Sequence, residues 1–144
     1  MKLVSSDFEE NSPIPEIYSK EGENLSPPLE VQDLPIDTVS WVLVVDDPDA
    51  PGGTFDHWIA WNISPQTTVL EAGKKPKFEG TNGFGEVGYG GPMPPPGKEH
   101  HYRFKSYALD KLLSLPAGAT KGEIEEAMQG HILAYDDLTG TYKR

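Results

Sequence analysis

Val39-Ser40-Trp41-Val42-Leu43-Val44-Val45, broken off at once by Asp46-Asp47-Pro48, is the stretch that decides the fold. It is rich in β-branched residues and almost unbroken in apolarity, which is the pattern of a strand covered on both faces. Such a strand needs one layer of packing on each side.

Working outward, a second strand is expected over His57 to Ile63. His57, Ile59, Trp61 and Ile63 would share one face, with Trp58, Ala60 and Asn62 on the other. The eleven residues between these strands include Pro48, Pro51, Gly52 and Gly53, which makes a wide, stiffened connection and not a two-residue turn. A third strand is expected from Tyr102 to Leu109, where Tyr102, Phe104, Ser106 and Ala108 alternate with Arg103, Lys105, Tyr107 and Leu109. Shorter candidates lie at Leu29 to Val31 and Thr67 to Leu70. Residues 11 to 28, with Pro13, Pro15, Pro27 and Pro28, read as an irregular arm with short extended pieces.

Only the C-terminal part looks helical. Thr120 and Glu123 have the spacing of a capping box, and Ile124, Ala127, Met128 and His131 follow at i, i+3, i+4 and i+7. Gly130 weakens that pattern by about 1 kcal/mol relative to Ala, so two short helices could meet there. His131 would then be either a hydrogen-bonded core histidine or a site residue. The expected architecture is a single domain, residues 1 to 144, mainly β, a sandwich closed by a small C-terminal helix.

Composition narrows the functions. Twelve Lys and Arg against 23 Asp and Glu give a net charge of −11, with a pI near 4.6. That field repels nucleic-acid backbones and anionic bilayers, so a partner attracted at long range would be basic. An anionic ligand must be held locally. Gly and Pro, 15 and 14 residues, are about a fifth of the chain, well above the usual roughly 12% and unlike a helical bundle. The absence of cysteine excludes disulfides, thiolate chemistry and cysteine-based metal centres. The start, Met1-Lys2-Leu3-Val4-Ser5-Ser6-Asp7, lacks the apolar stretch of a signal peptide, and no later window has the length of a membrane span. A soluble, cytoplasmic protein without integral membrane association is expected.

Two features can carry chemistry. The first is Asp46, Asp47 and Asp49, with Asp56 and His57 opening the next strand. Carboxylates beside a histidine at a strand end suit a metal or an acid/base site, and Asp-Pro and Asp-Ala-Pro are equally ordinary turn chemistry. A calcium loop counted from Asp47 fails, since Pro51 and Trp58 fall where oxygen ligands are required. A zinc site drawn from His57, His100 or His101 and an aspartate has no close ligand spacing to recommend it.

The second feature is Gly80 to Tyr102, GTNGFGEVGYGGPMPPPGKEHHY. It permits close backbone approach to a small ligand and offers N–H groups free of side-chain obstruction. A plain surface loop is the alternative, although loops of this length in compact domains are usually functional. It is not a P-loop, because no Gly-Lys-Ser/Thr follows. In extended chain His100 and Tyr102 share one side, with His101 and Arg103 on the other. No Gly-x-Ser-x-Gly elbow is present, so a hydrolase has little support.

Taken together, these residues resemble the phosphatidylethanolamine-binding protein family, also called Raf-kinase-inhibitor-like, and especially its bacterial and archaeal branch. The resemblance is carried by Asn24-Leu25-Ser26-Pro27-Pro28-Leu29, by VVDDPDAPGG at 44 to 53, and by Asp56-His57-Trp58 with Asn62. GYGGPMPPPG at 88 to 97 and His100-His101-Tyr102 continue it, and Gly130 to Ala134 and Leu138 to Tyr142 extend it. Departures are Val31 where Trp is frequent, Met93 where Cys is frequent in that branch, and His101 where Arg is common, which removes a fixed positive charge near the pocket rim.

The resemblance implies a two-sheet antiparallel β-sandwich with a small anion-accepting pocket at one end. By position its lining would be Asp47, Pro51, His57, His100 and Tyr102, with Gly90 and Gly91 as backbone neighbours. His57 and His100 can donate to a phosphate or acetate, and Asp47 can orient an imidazole or accept from an ammonium head group. The implied function is non-enzymatic binding of a phosphate- or carboxylate-bearing ligand, such as a phosphoethanolamine-like head group or a phosphorylated partner, with no cofactor and no metal. Inhibition of a kinase or serine protease is the alternative. A phosphoester-acting enzyme using Asp47 with His57 or His100 is a third, and a homodimer is possible by analogy with the family.

Overall fold

In a computed structural model describing residues 1–144, nine strands and one helix follow the chain. They are β1 (Lys2–Val4), β2 (Ser12–Pro13), β3 (Leu29–Gln32), β4 (Ser40–Asp47), β5 (Phe55–Ile63), β6 (Val69–Leu70), β7 (Phe78–Glu79), β8 (His100–Leu109), α1 (Lys121–Met128) and β9 (Ile132–Tyr142). A large sheet runs β2-β9-β8-β4-β5-β7 and a small one β1-β3-β6. All named pairings are antiparallel except β2 with β9. No helix is long and apolar enough to cross a membrane.

β4 is central, and all eight of its residues are buried. Its alternation divides the interior in two. Trp41, Leu43 and Val45 face the small sheet and pack with Leu3, Leu29, Val31 and Leu70. Val42 and Val44 face the other way, into a second cluster with Ile59, Trp61, Leu109, Ile124 and Met128, where α1 is the covering layer. The double coverage expected from the VSWVLVV run is therefore supplied by a sheet on one side and a helix on the other.

The expected strand over 57 to 63 forms, but its faces differ from simple alternation. Val45 pairs with Trp58 and Asp46 with Asp56, so His57 is an extra residue in a β-bulge. A second irregularity sets Trp41 against Ile63 and Leu43 against Ala60, where Asn62 adopts φ 54°. Asn tolerates that left-handed conformation better than most residues. Its side chain also donates to and accepts from Leu113, at 2.9 and 2.7 Å. Ile59 and Trp61 consequently face α1, whereas Trp58, Ala60 and Ile63 face the sandwich interior.

The capping box forms as expected, with Thr120 and Glu123 bonding reciprocally. The helix ends at Met128, however, and Gly130, at φ 81°, reverses the chain into β9. His131 is therefore neither a core histidine nor on the helix. It is partly exposed, with Nδ1 2.9 Å from Asp110.

Candidate functional site

β4, β5 and β8 bring their pocket residues to one end of the large sheet. Asp47 ends β4, His57 sits in the β5 bulge, and His100 and Tyr102 open β8 on a shared side. Asp47, His57, His100 and Tyr102 are 3, 4, 2 and 1% exposed. With Pro51 from the stiffened connection they line a cavity of about 120 Å³. The remaining wall is Ala50, Phe55, Phe84, Met93, Pro94 and Pro95. Of these only Met93 was singled out from the sequence, and Phe55 and Phe84 carry no polar signal that would have marked them.

The bulge at His57 is what places this imidazole. In a regular strand without the bulge, His57 would have the parity of Ile59 and point at α1. With it, the ring packs against Tyr102, centroids 5.1 Å apart. Gly90 then holds it from both directions: the Gly90 N–H donates to the His57 carbonyl at 2.8 Å, and Nδ1 lies 2.7 Å from the Gly90 carbonyl. Burial keeps His57 below its ordinary pKa, and the bond to Gly90 opposes this only in part. At neutral pH the ring is uncharged, Nδ1 carries the proton, and Nε2 is left toward the cavity as an acceptor that can be protonated.

His100 is fixed differently. Its Nδ1 lies 2.6 Å from Asp47 Oδ2. The other Asp47 oxygen accepts the Asp49 N–H at 2.8 Å, an Asx turn that starts the connection to β5. Each carboxylate oxygen thus has one internal partner. His100 Nε2 has no partner. The Tyr102 hydroxyl is buried and without a hydrogen bond, and burial followed by the nearby Asp47 charge raises its pKa strongly. It remains a phenol and a donor. Three polar atoms, two imidazole Nε2 and one hydroxyl, are what this end of the sandwich has to offer a ligand.

The glycine-rich segment plays a different part from the one expected. The N–H groups of Gly90 and Gly91 do not serve a ligand, because they bond the His57 carbonyl and Asn24 Oδ1 at 2.8 and 2.7 Å. What these glycines supply is room for aromatic rings. A Cβ on Gly83 would stand 2.6 Å from the Phe55 ring, and one on Gly90 2.6 Å from Phe84. Phe55 and Phe84 meet edge to face at 4.7 Å and close over His57.

The other residues of the acidic stretch go elsewhere. Asp46 points to the α1 side, where Arg103 and Lys105 approach at 2.8 Å and Lys121 at 3.4 Å. Asp56 joins it through Lys121 at 2.7 Å. Burial works to raise the Asp46 pKa, but the bonds to Lys105 and Arg103 prevail and hold it below the ordinary carboxylate range. Asp49 and His101 pair at the rim at 2.7 Å, and that contact lowers the Asp49 pKa. No group of three or more His, Asp or Glu is arranged to hold a metal ion.

Comparison with known proteins agrees with this architecture. The profile of the phosphatidylethanolamine-binding protein family matches residues 4–143. UPF0098 protein PH1269 of Pyrococcus horikoshii is 49% identical over 150 residues, covering 98% of this chain and 76% of that protein. Among solved structures, CT736 of Chlamydia trachomatis, described as a homologue of the phosphatidylethanolamine-binding protein, superposes with a TM-score of 0.95 at 43% identity, over 99% of this chain and 97% of that one. YbcL of E. coli, described as a member of the same family, gives 0.91 at 28% identity, over 99% and 98%. The chain belongs to the phosphatidylethanolamine-binding protein family.

Proposed function

We propose that this protein is a non-enzymatic binding module whose pocket takes a small phosphate- or carboxylate-bearing group. The supporting observation is the convergence of His57 and His100 on one cavity, each with Nδ1 engaged by the protein and Nε2 free, beside the unpartnered Tyr102 hydroxyl. Protonated imidazoles and a phenol are charge-assisted and neutral donors to an anion.

A two-dimensional amide and imidazole NMR titration with inorganic phosphate and with acetate tests the reading. Saturable shifts centred on His57, His100 and Tyr102 are expected, reduced at least tenfold in affinity in His57→Ala and His100→Ala. Equal binding by parent and both variants would sink it.

A further inference from the structure

We infer that the outer edge of β9 is a docking site for an extended, basic segment of a partner protein, which adds to the large sheet as one more strand. β9 is bonded along its length to β8 on one side, but on the other side β2 covers only Gly140 and Thr141. The N-terminal arm reaches one residue further. The Thr139 carbonyl accepts the Asn11 N–H at 2.7 Å, and the Thr139 N–H donates to the Glu10 carboxylate at 3.1 and 3.2 Å. By the two-residue period of a strand, Tyr135 and Asp137 turn their backbone N–H and C=O groups to the same side as Thr139. No strand of the fold pairs with them there. Unpaired edge groups are a template for another chain, and strand addition is a recurring mode of peptide recognition.

This edge borders a groove of about 470 Å³ that runs between β9 and β1, well apart from the anion pocket. The Leu3 N–H ties its two banks together, donating to Asp136 at 2.7 Å. Leu3, Phe8 and Leu138 contribute apolar lining, and Ile132, Leu133 and Tyr135 are exposed further along the strand. A segment laid here therefore gains apolar contacts as well as backbone bonds.

The charge of the groove chooses the occupant. Glu9, Glu10, Asp136 and Asp137 line it, with Lys2 as the one basic side chain among them. The ion pairs of the molecule use none of these four carboxylates. Their bonds are to neutral donors, the Leu3 and Thr139 N–H groups and the Tyr135 hydroxyl. In a chain of net charge −11, such a groove is complementary to lysine and arginine side chains and draws them in from a distance. A second copy of this chain would bring the same carboxylates and a further −11 to the edge, and charged residues on an edge strand oppose self-pairing.

Three end-blocked heptapeptides titrated into the full chain test the inference: KVKVKVK, its acidic counterpart EVEVEVE, and KVKVKVK methylated on alternate backbone nitrogens. With KVKVKVK, saturable amide shifts centred on Tyr135 and Asp137 are expected, together with at least tenfold slower hydrogen exchange of those two amides. The acidic peptide should not bind, and the methylated one should lose at least tenfold in affinity because it cannot complete the ladder. Asp137→Lys, at an exposed position, should weaken KVKVKVK at least tenfold. Glu9→Lys, in the exposed arm, should do so by a smaller factor. Equal binding of the methylated peptide reduces the interaction to charge alone and overturns strand addition. Absence of saturable binding at millimolar KVKVKVK overturns the site. A free chain that sediments as a dimer and becomes a monomer in Asp137→Lys gives the edge to a second copy and overturns the partner.

Discussion

Asp46 and Asp47 are neighbours in β4, 0 and 3% exposed, and they face opposite sides of the large sheet. Asp46 is buried among Arg103, Lys105 and Lys121, all of which keep their charge at any ordinary pH. Asp47 has only the His100 imidazole and one backbone N–H, and its partner borders an open cavity. The difference teaches what a buried carboxylate is for. Surrounded by permanent cations it is a fixed part of the frame. Beside a ring that borders a cavity it orients a side chain that a ligand can reach.

The comparison breaks most readily at Asp46. Asp46→Asn leaves three cations facing a neutral amide, and removing one partner of a buried ion pair costs about 3–5 kcal/mol. Asp47→Asn removes no permanent ion pair and should cost less, about 1–3 kcal/mol, while weakening phosphate binding several-fold. Urea unfolding with a phosphate titration separates the two. A loss of stability in Asp46→Asn no larger than in Asp47→Asn would end the distinction.

Acid should reveal the two faces in sequence. His57 is held below its ordinary value when folded, so the unfolded chain takes up a proton first; that contribution to stability is complete above about pH 6.5 and falls away below it. Asp46 is held low as well, so its contribution is complete above about pH 3.9 and is lost only as pH falls through its lower folded value. Stability measured from pH 8 to 3 should fall in those two windows. Saturating phosphate should offset the upper one, because a bound anion favours protonated His57. Phosphate affinity should rise as pH drops, by at most about tenfold per unit for one proton taken up. Affinity independent of pH between 8 and 6 would contradict this.

Smaller effects sharpen the picture. Tyr102→Phe removes a buried hydroxyl that has no partner, so stability should change by no more than about 0.5 kcal/mol, whereas phosphate affinity should fall about tenfold, as for one lost hydrogen bond to a charged group. His131→Ala severs a contact to Asp110 similar in length to the His100–Asp47 pair but half in water. It should cost under about 1 kcal/mol and leave anion binding untouched.

The sequence makes the central strand legible because burial on both faces writes an apolar run that nothing else in the chain imitates. It makes β8 and the shared side of His100 and Tyr102 legible through alternation. β9 was missed for a physical reason. It lies near the sheet edge, Ile132 to Asp137 are not buried, and Asp136, Asp137 and Gly140 disguise it as a turn. The expectation that Asp46, Asp47, Asp56 and His57 form one polar feature failed because β-strand parity sends the first and third to α1. Pocket positions carried over from the family resemblance, Asp47, Pro51, His57, His100 and Tyr102, do meet in space. The aromatic wall was invisible because its cause is tertiary: glycines that are permissive in sequence become necessary only where a ring occupies the place of a side chain.

The two bulges of β5 act on side-chain parity as paired frameshifts act on a message. Before His57 odd-numbered residues face the sandwich interior, between the bulges even-numbered ones do, and after Asn62 the odd ones do again. Deleting His57 alone would remove the bulge and set Asp56 directly before Trp58 in regular alternation, so both flanks would keep their layers and the pocket imidazole would be lost. Deleting Asn62 would likewise spare the alternation and lose the bonds to Leu113, whereas deleting a residue between the bulges, such as Ile59, would turn one flank of the cut to the wrong layer. A single-residue deletion therefore keeps the layers only at the bulges themselves, and the segment Trp58 to Trp61 travels as a unit set in a reading frame of its own.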